Sequence, residues 1–241
     1  MLVDAHVHCA ELRDLDTYIR GGRLVLVCVA DDPQSSDEVV RASTQHAVIE
    51  PCIGLHPWQA HEYGIRDVVN LLDRHVGSSK VKCLGEVGLD KKFRPGTFKR
   101  QLKLFELFVD YAREYDLVLN LHAADAWVEV FELIYKRGVD RAYFHWYTGS
   151  IELLHQIESV GYYIGANPAW QIQQRHRNIL EEVSLENVLT ESDAPYNYRG
   201  LLMTPSLVEL TVKYLADIRK LSVTDVEERV YSNFRKLFSK R

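Results

Sequence analysis

Short apolar, β-branched runs alternate with longer amphipathic segments along the chain, the pattern of βα units around a parallel sheet. Eight such runs stand out, at residues 2–8, 23–30, 47–56, 81–89, 117–122, 142–146, 162–167 and 187–193. The clearest helix between them is predicted over 97–115, where Phe98, Leu102, Phe105, Phe108, Val109 and Ala112 share one face, and another over 127–136. The stretch 205–238, with Leu207, Leu210, Val212, Tyr214 and Leu215, is expected to form the closing helices.

Eight strand and helix units in 241 residues predict an α/β fold, a single (β/α)8 TIM barrel spanning 1–241. An open doubly wound sheet is the competing architecture, but no GxGxxG follows the first run and the chemically active residues are spread over many strands. No Pro/Gly/Ser-rich linker divides the chain, and neither a fixed repeat nor a low-complexity segment is visible.

Composition narrows the function. A net charge of −5 argues against a protein that coats nucleic acid, although 91–103 carries Lys91, Lys92, Arg94, Lys99, Arg100 and Lys103 without an acidic residue. Cys9, Cys28, Cys52 and Cys83 lie in or beside apolar runs with no CxxC spacing, which predicts buried thiols in a reducing compartment. With no basic-then-apolar leader and no long uncharged apolar run, a cytoplasmic protein without a membrane partner, and a monomer, is expected.

The chemistry begins with Asp4-Ala5-His6-Val7-His8. In a strand, positions i and i+2 share a face about 6.6 Å apart, so His6 and His8 can converge on one ion. One His-X-His is weak evidence, and an isolated histidine at a strand end is ordinarily a hydrogen-bonded rim residue. Here the pattern recurs: run three ends at His56, run four carries Glu86 with Gly85 before it and Gly88 after, runs five and six end at His122 and His145, and run eight ends at Asp193. Ring closure would bring these ends to one rim, where nitrogen and oxygen ligands without sulfur suit two divalent cations, Zn²⁺, Mn²⁺ or Mg²⁺. Glu86 is the natural bridge between them. Two such cations against Glu86 and Asp193 predict a net positive pocket that draws in anions. Lys91, Lys92 and Arg199 are candidate phosphate contacts, and Trp58, Trp146 and Tyr147 are candidate base-stacking rings unless they pack in loops. His46, His61, His75, His155 and His176 fall outside the strand ends and read as surface or structural.

These residues together resemble the TatD family of metal-dependent deoxyribonucleases, within the amidohydrolase-like barrels. The matching stretches are VDAHVH, GLHPW, GEVGLD, the Gln101 and Phe105 spacing ahead of LNLH, FHWYTGS, TESDAP and SNFRKLF, in the family's order over nearly the whole chain. The resemblance implies that His6 and His8 hold one metal, that His122 and His145 hold the other, and that Glu86 bridges them. It also implies that Asp193 is a ligand of the first ion and the base for the attacking water, with Asp4 orienting an imidazole. Three positions depart from the family pattern: Ala10 stands where Asp or Asn is usual, Ala124 where Arg is common, and Thr204 where a Glu precedes proline. The expected activity is a two-metal DNase cleaving phosphodiester bonds. The alternatives are an ester or amide hydrolase such as a D-aminoacyl-tRNA deacylase-like enzyme, and a non-catalytic, metal-stabilised barrel serving as a subunit of an assembly.

Overall fold

The computed structural model describes residues 1–77 and 80–239. Eight strands, β1 (Leu2–Val7), β2 (Leu24–Val29), β3 (Ile49–Ile53), β4 (Cys83–Gly88), β5 (Val118–His122), β6 (Ala142–Phe144), β7 (Tyr163–Ala166) and β8 (Val188–Thr190), pair in parallel, each with the next in the chain. Outside them lie α1 (Leu15–Ile19), α2 (Pro33–Gln45), α3 (Ile65–His75), α4 (Phe98–Glu114), α5 (Trp127–Lys136), α6 (Ile151–Ser159), α7 (Gln174–Glu182), α8 (Leu207–Arg219) and α9 (Val223–Phe238). This is a (β/α)8 barrel, as the hydrophobic pattern predicts. A two-stranded hairpin of β9 (Asn197–Tyr198) and β10 (Leu201–Leu202) follows β8 and had no counterpart among the expected elements.

Local chemistry explains the element ends. Asp32 caps α2 by accepting the Ser35 amide at 2.8 Å, with Pro33 supplying the fixed φ of the first turn. Ser222 and Asp225 cap α9 reciprocally. Strand alternation sends Val3, Ala5 and Val7 into the apolar layer under the helices and puts Asp4, His6 and His8 on the opposite face, inside the ring.

The ring closes between β8 and β1 through contacts more irregular than a ladder. The Thr190 hydroxyl donates to the Val3 carbonyl at 2.6 Å, and the Ser192 amide to Asp4 Oδ1 at 2.8 Å. The Asp193 amide donates to the His6 carbonyl, and the His8 amide to the Ala194 carbonyl, both at 2.9 Å. Asp4 therefore ties the seam. Burial pushes its carboxyl up to about 8, partly opposed by its bonds from Ser192. Among the histidines outside the strand ends, His176 is structural: fully buried, it accepts the Asn167 amide on Nε2 at 3.0 Å and donates from Nδ1 to the Tyr147 carbonyl at 3.0 Å.

The expectation of free thiols is overturned. Cys52 and Cys83 are register partners on β3 and β4 with Cα atoms 4.5 Å apart, and Cys9 lies 5.2 Å from Cys28; both pairs are disulfides. Sequence separations of 19 and 31 residues carried no hint of this, because the pairing follows from which strands become neighbours in the ring. The cytoplasmic expectation thereby loses the support it drew from free thiols. Among the described residues no helix is long and apolar enough to cross a membrane.

Two outcomes follow for solution experiments. Thiol titration in denaturant should find no free thiol before reduction and all four cysteines after it, and reduction should cost about 3 kcal/mol of stability per bridge; four titratable thiols in the untreated protein would contradict the pairing. Burial pushes the His176 imidazole down to about 4, so its contribution to stability is complete above pH 6.5 and is lost as pH falls toward 4. His176→Gln should flatten the stability profile across that window by up to about 3 kcal/mol, measured by urea unfolding; an unchanged slope would contradict the assignment.

Candidate metal centre

Glu86, only 2% exposed on β4, lies at the middle of five imidazoles carried by four strands or their ends, His6 and His8 on β1, His56 after β3, His122 on β5 and His145 after β6. Its Oε2 faces His6 Nε2 at 3.3 Å and His8 Nε2 at 3.5 Å. Its Oε1 faces His122 Nδ1 at 2.6 Å, His56 Nε2 at 3.5 Å and His145 Nε2 at 3.8 Å. Asp193 Oδ1 joins the first group, 3.4 Å from His8 Nε2 and 3.7 Å from His6 Nε2. One carboxylate thus has a separate set of nitrogen donors on each oxygen. Three overlapping triads, His6 with His8 and Asp193, His6 with Glu86 and His145, and His56 with Glu86 and His122, each bring their ligand atoms within 4.8 Å of one another.

The backbone makes this approach possible. A Cβ on Gly85 would stand 2.6 Å from Asn120 Cβ and 2.9 Å from Cys52 Sγ, so only glycine lets β4 sit this close to its neighbours. The glycine therefore serves strand packing as well as access to Glu86. Asp193 and Trp146 hold left-handed backbones, φ 57° and 41°, an uncommon conformation for such residues that sets where their side chains leave the strand ends.

Each imidazole is also gripped from behind. His6 Nδ1 meets Asn120 Oδ1 at 2.7 Å, His8 Nδ1 meets Asp31 Oδ2 at 3.2 Å, and His145 Nδ1 meets Glu191 Oε1 at 3.3 Å. His56 Nδ1 accepts the Trp58 amide at 3.2 Å, which leaves its proton on Nε2. Asn120, Asp31 and Glu191 escaped the sequence reasoning. Asp4 does not reach an imidazole, so the orienting role expected of it belongs to Asn120, while Asp4 holds the seam. Glu191 is held by the Tyr143 hydroxyl, by the Trp146 amide at 2.9 Å and by Asn167 at 3.1 Å.

Burial alone would raise the Glu86 pKa, but the imidazoles of His56, His6 and His122 hold it well below the usual carboxylate range. Burial opposes charge on His122 and His145, yet Glu86 lifts the first to about 9 and Glu191 the second to about 9. Positive charge is therefore strongly favoured at the centre. His6 Nε2 is fully buried without a hydrogen-bond partner while pointing between Glu86 and Asp193, a position that a cation would satisfy. The all-nitrogen-and-oxygen donor set fits Zn²⁺, Mn²⁺ or Mg²⁺.

Above the centre opens a cavity of about 530 Å³ whose floor includes His8, Glu86, His122, His145 and Asp193. Trp58, Lys92 and Phe93 form one wall, and Trp146, Tyr196 and Tyr198 another. Of the expected basic contacts, only Lys92 lines it. Lys91 pairs instead with Glu129, and Arg199, at the tip of the β9–β10 hairpin, lies with its guanidinium 5.2 Å from the Tyr198 ring. Tyr147 is core, packed on Trp127 with its hydroxyl on the Ser150 carbonyl. The expected positive pocket counted only Glu86 and Asp193 against the cations; Asp31, Asp90 and Glu191 stand around the same centre and add three carboxylates to that balance.

Comparison with known proteins agrees with this architecture. An uncharacterized metal-dependent hydrolase of Methanocaldococcus jannaschii is 28% identical over 248 residues, covering 99% of this chain and 97% of that protein. The human protein named deoxyribonuclease TATDN3 is 24% identical over 262 residues, covering 99% and 95%. Among solved structures, a TatD homolog from Escherichia coli superposes with a TM-score of 0.88 at 19% identity, covering 100% of this chain and 98% of that one. The model of the family described as TatD related DNase matches residues 3–239, and the chain belongs to that family of metal-dependent hydrolases.

Proposed function

We propose that this protein is a two-metal phosphodiesterase acting on DNA, in which Glu86 would serve both ions. The observation that carries the reading is the division of imidazoles between its two carboxylate oxygens. His6, His8 and Asp193 would hold one ion, and His122 and His145 the other, with Glu86 shared. When bound, a pair of divalent cations supplies Lewis acidity that yields a nucleophilic water near neutral pH and offsets charge on the phosphoryl oxygens.

The chain's own groups do the rest. Asp193, 7% exposed at the cavity floor, takes the proton of the attacking water. The His56 Nε2–H, fixed by the Trp58 amide on the other ring nitrogen, faces His122 Nδ1 at 3.2 Å and Glu86 Oε1 at 3.5 Å, and a cation taken up on His122 Nδ1 would release it to donate to a phosphoryl or leaving oxygen. Lys92 lines the same cavity and would contact a phosphate, and the rings of Trp58 and Trp146, which also line it, would pack on a base. The names of relatives such as TATDN3 support DNA as the substrate.

A second reading, hydrolysis of an aminoacyl or related ester, draws on the wall of the same cavity. Glu11, Asp31 and Asp125 line it against the single Lys92, a balance that suits an ammonium group better than several phosphates.

Three measurements test these readings. Metal analysis of the purified protein should find about two equivalents of divalent cation, with hydrolysis lost on chelation and restored by Zn²⁺ or Mn²⁺. Asp193→Asn should lower kcat by about 10² to 10⁴ with fold retained, and unchanged turnover would remove Asp193 as the base. A labelled DNA oligonucleotide should be cleaved in preference to an aminoacyl-tRNA; the reverse preference would favour the ester hydrolase.

A further inference from the structure

Asp90 lies four residues beyond Glu86 and is fully buried beside the rim of the cavity. Its Oδ2 accepts the Trp58 indole N–H at 2.5 Å and meets His122 Nε2 at 3.1 Å, while its Oδ1 accepts the Phe93 amide at 2.6 Å. Gln101, buried on α4, keeps the residue from swinging. Its Oε1 accepts the Asp90 amide at 2.7 Å, and its Nε2 donates to the carbonyls of Asp90 at 3.2 Å and Arg94 at 2.9 Å.

Two of the three groups facing this carboxylate, an indole and a backbone amide, can only donate. An ionised carboxylate has no hydrogen to offer, so the third group, the His122 imidazole, must also donate, and from Nε2. In the neutral ring, the form that can bind a cation, Nδ1 is then the acceptor nitrogen, and His56 Nε2 faces it at 3.2 Å. His122 Nδ1 also stands 2.6 Å from Glu86 Oε1, a contact between two acceptors that requires a proton or a cation between them.

We propose that Asp90 is a positioning residue that keeps the His122 proton on Nε2 and thereby turns the Nδ1 lone pair toward Glu86 for metal binding. The proposal rests on reading the Glu86 cluster as a metal centre. It also ties that centre to the substrate rim, because the same carboxylate oxygen anchors the Trp58 ring that lines the cavity. Asparagine cannot replace it. An amide must place its NH₂ where one of the donors points, and a His122 that answers by accepting on Nε2 moves its proton to Nδ1 and gives up the ligand lone pair.

The test is long-range ¹H–¹⁵N NMR of the ¹⁵N-histidine-labelled, Zn²⁺-loaded protein, with the His122 signals assigned by their loss in His122→Gln. The expected pattern is a proton on Nε2 and zinc on Nδ1. Zinc taken up with the proton on Nδ1 would overturn the role of Asp90 alone, whereas a protein that takes up no zinc would overturn the metal centre and this inference with it. In parallel, Asp90→Asn should lower Zn²⁺ affinity about 10- to 100-fold in competition with a chromophoric chelator, with circular dichroism retained. Affinity equal to that of the unmodified protein would overturn the proposal, and the NMR result on the unmodified protein stands whether or not the variant folds.

Discussion

The structure turns on one buried carboxylate. Glu86 is removed from water at the centre of the ring, a placement that would be costly if its charge were unmatched. Imidazoles from β1, β5 and the ends of β3 and β6 surround it, and no stretch of chain shorter than the closed barrel can bring them together. The seam between β8 and β1 therefore belongs to the site as much as to the fold. The same hydrogen bonds that close it, from the Asp193 amide to the His6 carbonyl and from the His8 amide to the Ala194 carbonyl, set the separation of Asp193 from both histidines.

Around this centre lies an outer layer in which each imidazole has its own partner: Asn120 for His6, Asp31 for His8, the Trp58 amide for His56, Asp90 for His122 and Glu191 for His145. Such partners decide which ring nitrogen carries the proton and how far the ring can turn. Tight packing keeps them in place. A Cβ on Gly165 would fall 2.5 Å from both Glu191 Cδ and the Tyr143 hydroxyl, so that residue makes room for the carboxylate that holds His145. The cost of this layer is electrostatic, because Asp31, Asp90 and Glu191 oppose the attraction that bound cations would exert on an anion.

Much of this was legible in the sequence, and the remainder failed for definable reasons. All eight strands and the helices over 97–115 and 127–136 follow from hydrophobic periodicity, because apolar faces must be buried wherever the chain goes. The third and eighth strands are shorter than the apolar runs that announce them, since His56 and Asp193 leave the ladder to turn into the cavity. Asn120 stands two residues before His122 on β5, and strand parity could have flagged it, whereas Glu191 lies past the end of β8, where that parity no longer holds. Asp31, Asp90 and the disulfide pairs depend on which strands become neighbours across the ring, which no local pattern records. Lys91 pairs with Glu129 on α5, because a basic run on a rim can turn outward to acidic partners.

In the proposed function, hydrolytic chemistry and substrate preference rest on different layers: the first on the histidines and carboxylates at the strand ends, the second on Lys92, the aromatic walls and the acidic rim above them. The central proposal, that Glu86 serves two cations, is tested most directly by anomalous scattering from crystals of the zinc-loaded protein. Two peaks, one on the Oε2 side beside His6, His8 and Asp193 and one on the Oε1 side beside His122 and His145, are the predicted result. A single peak, or zinc bound away from Glu86, would contradict the account.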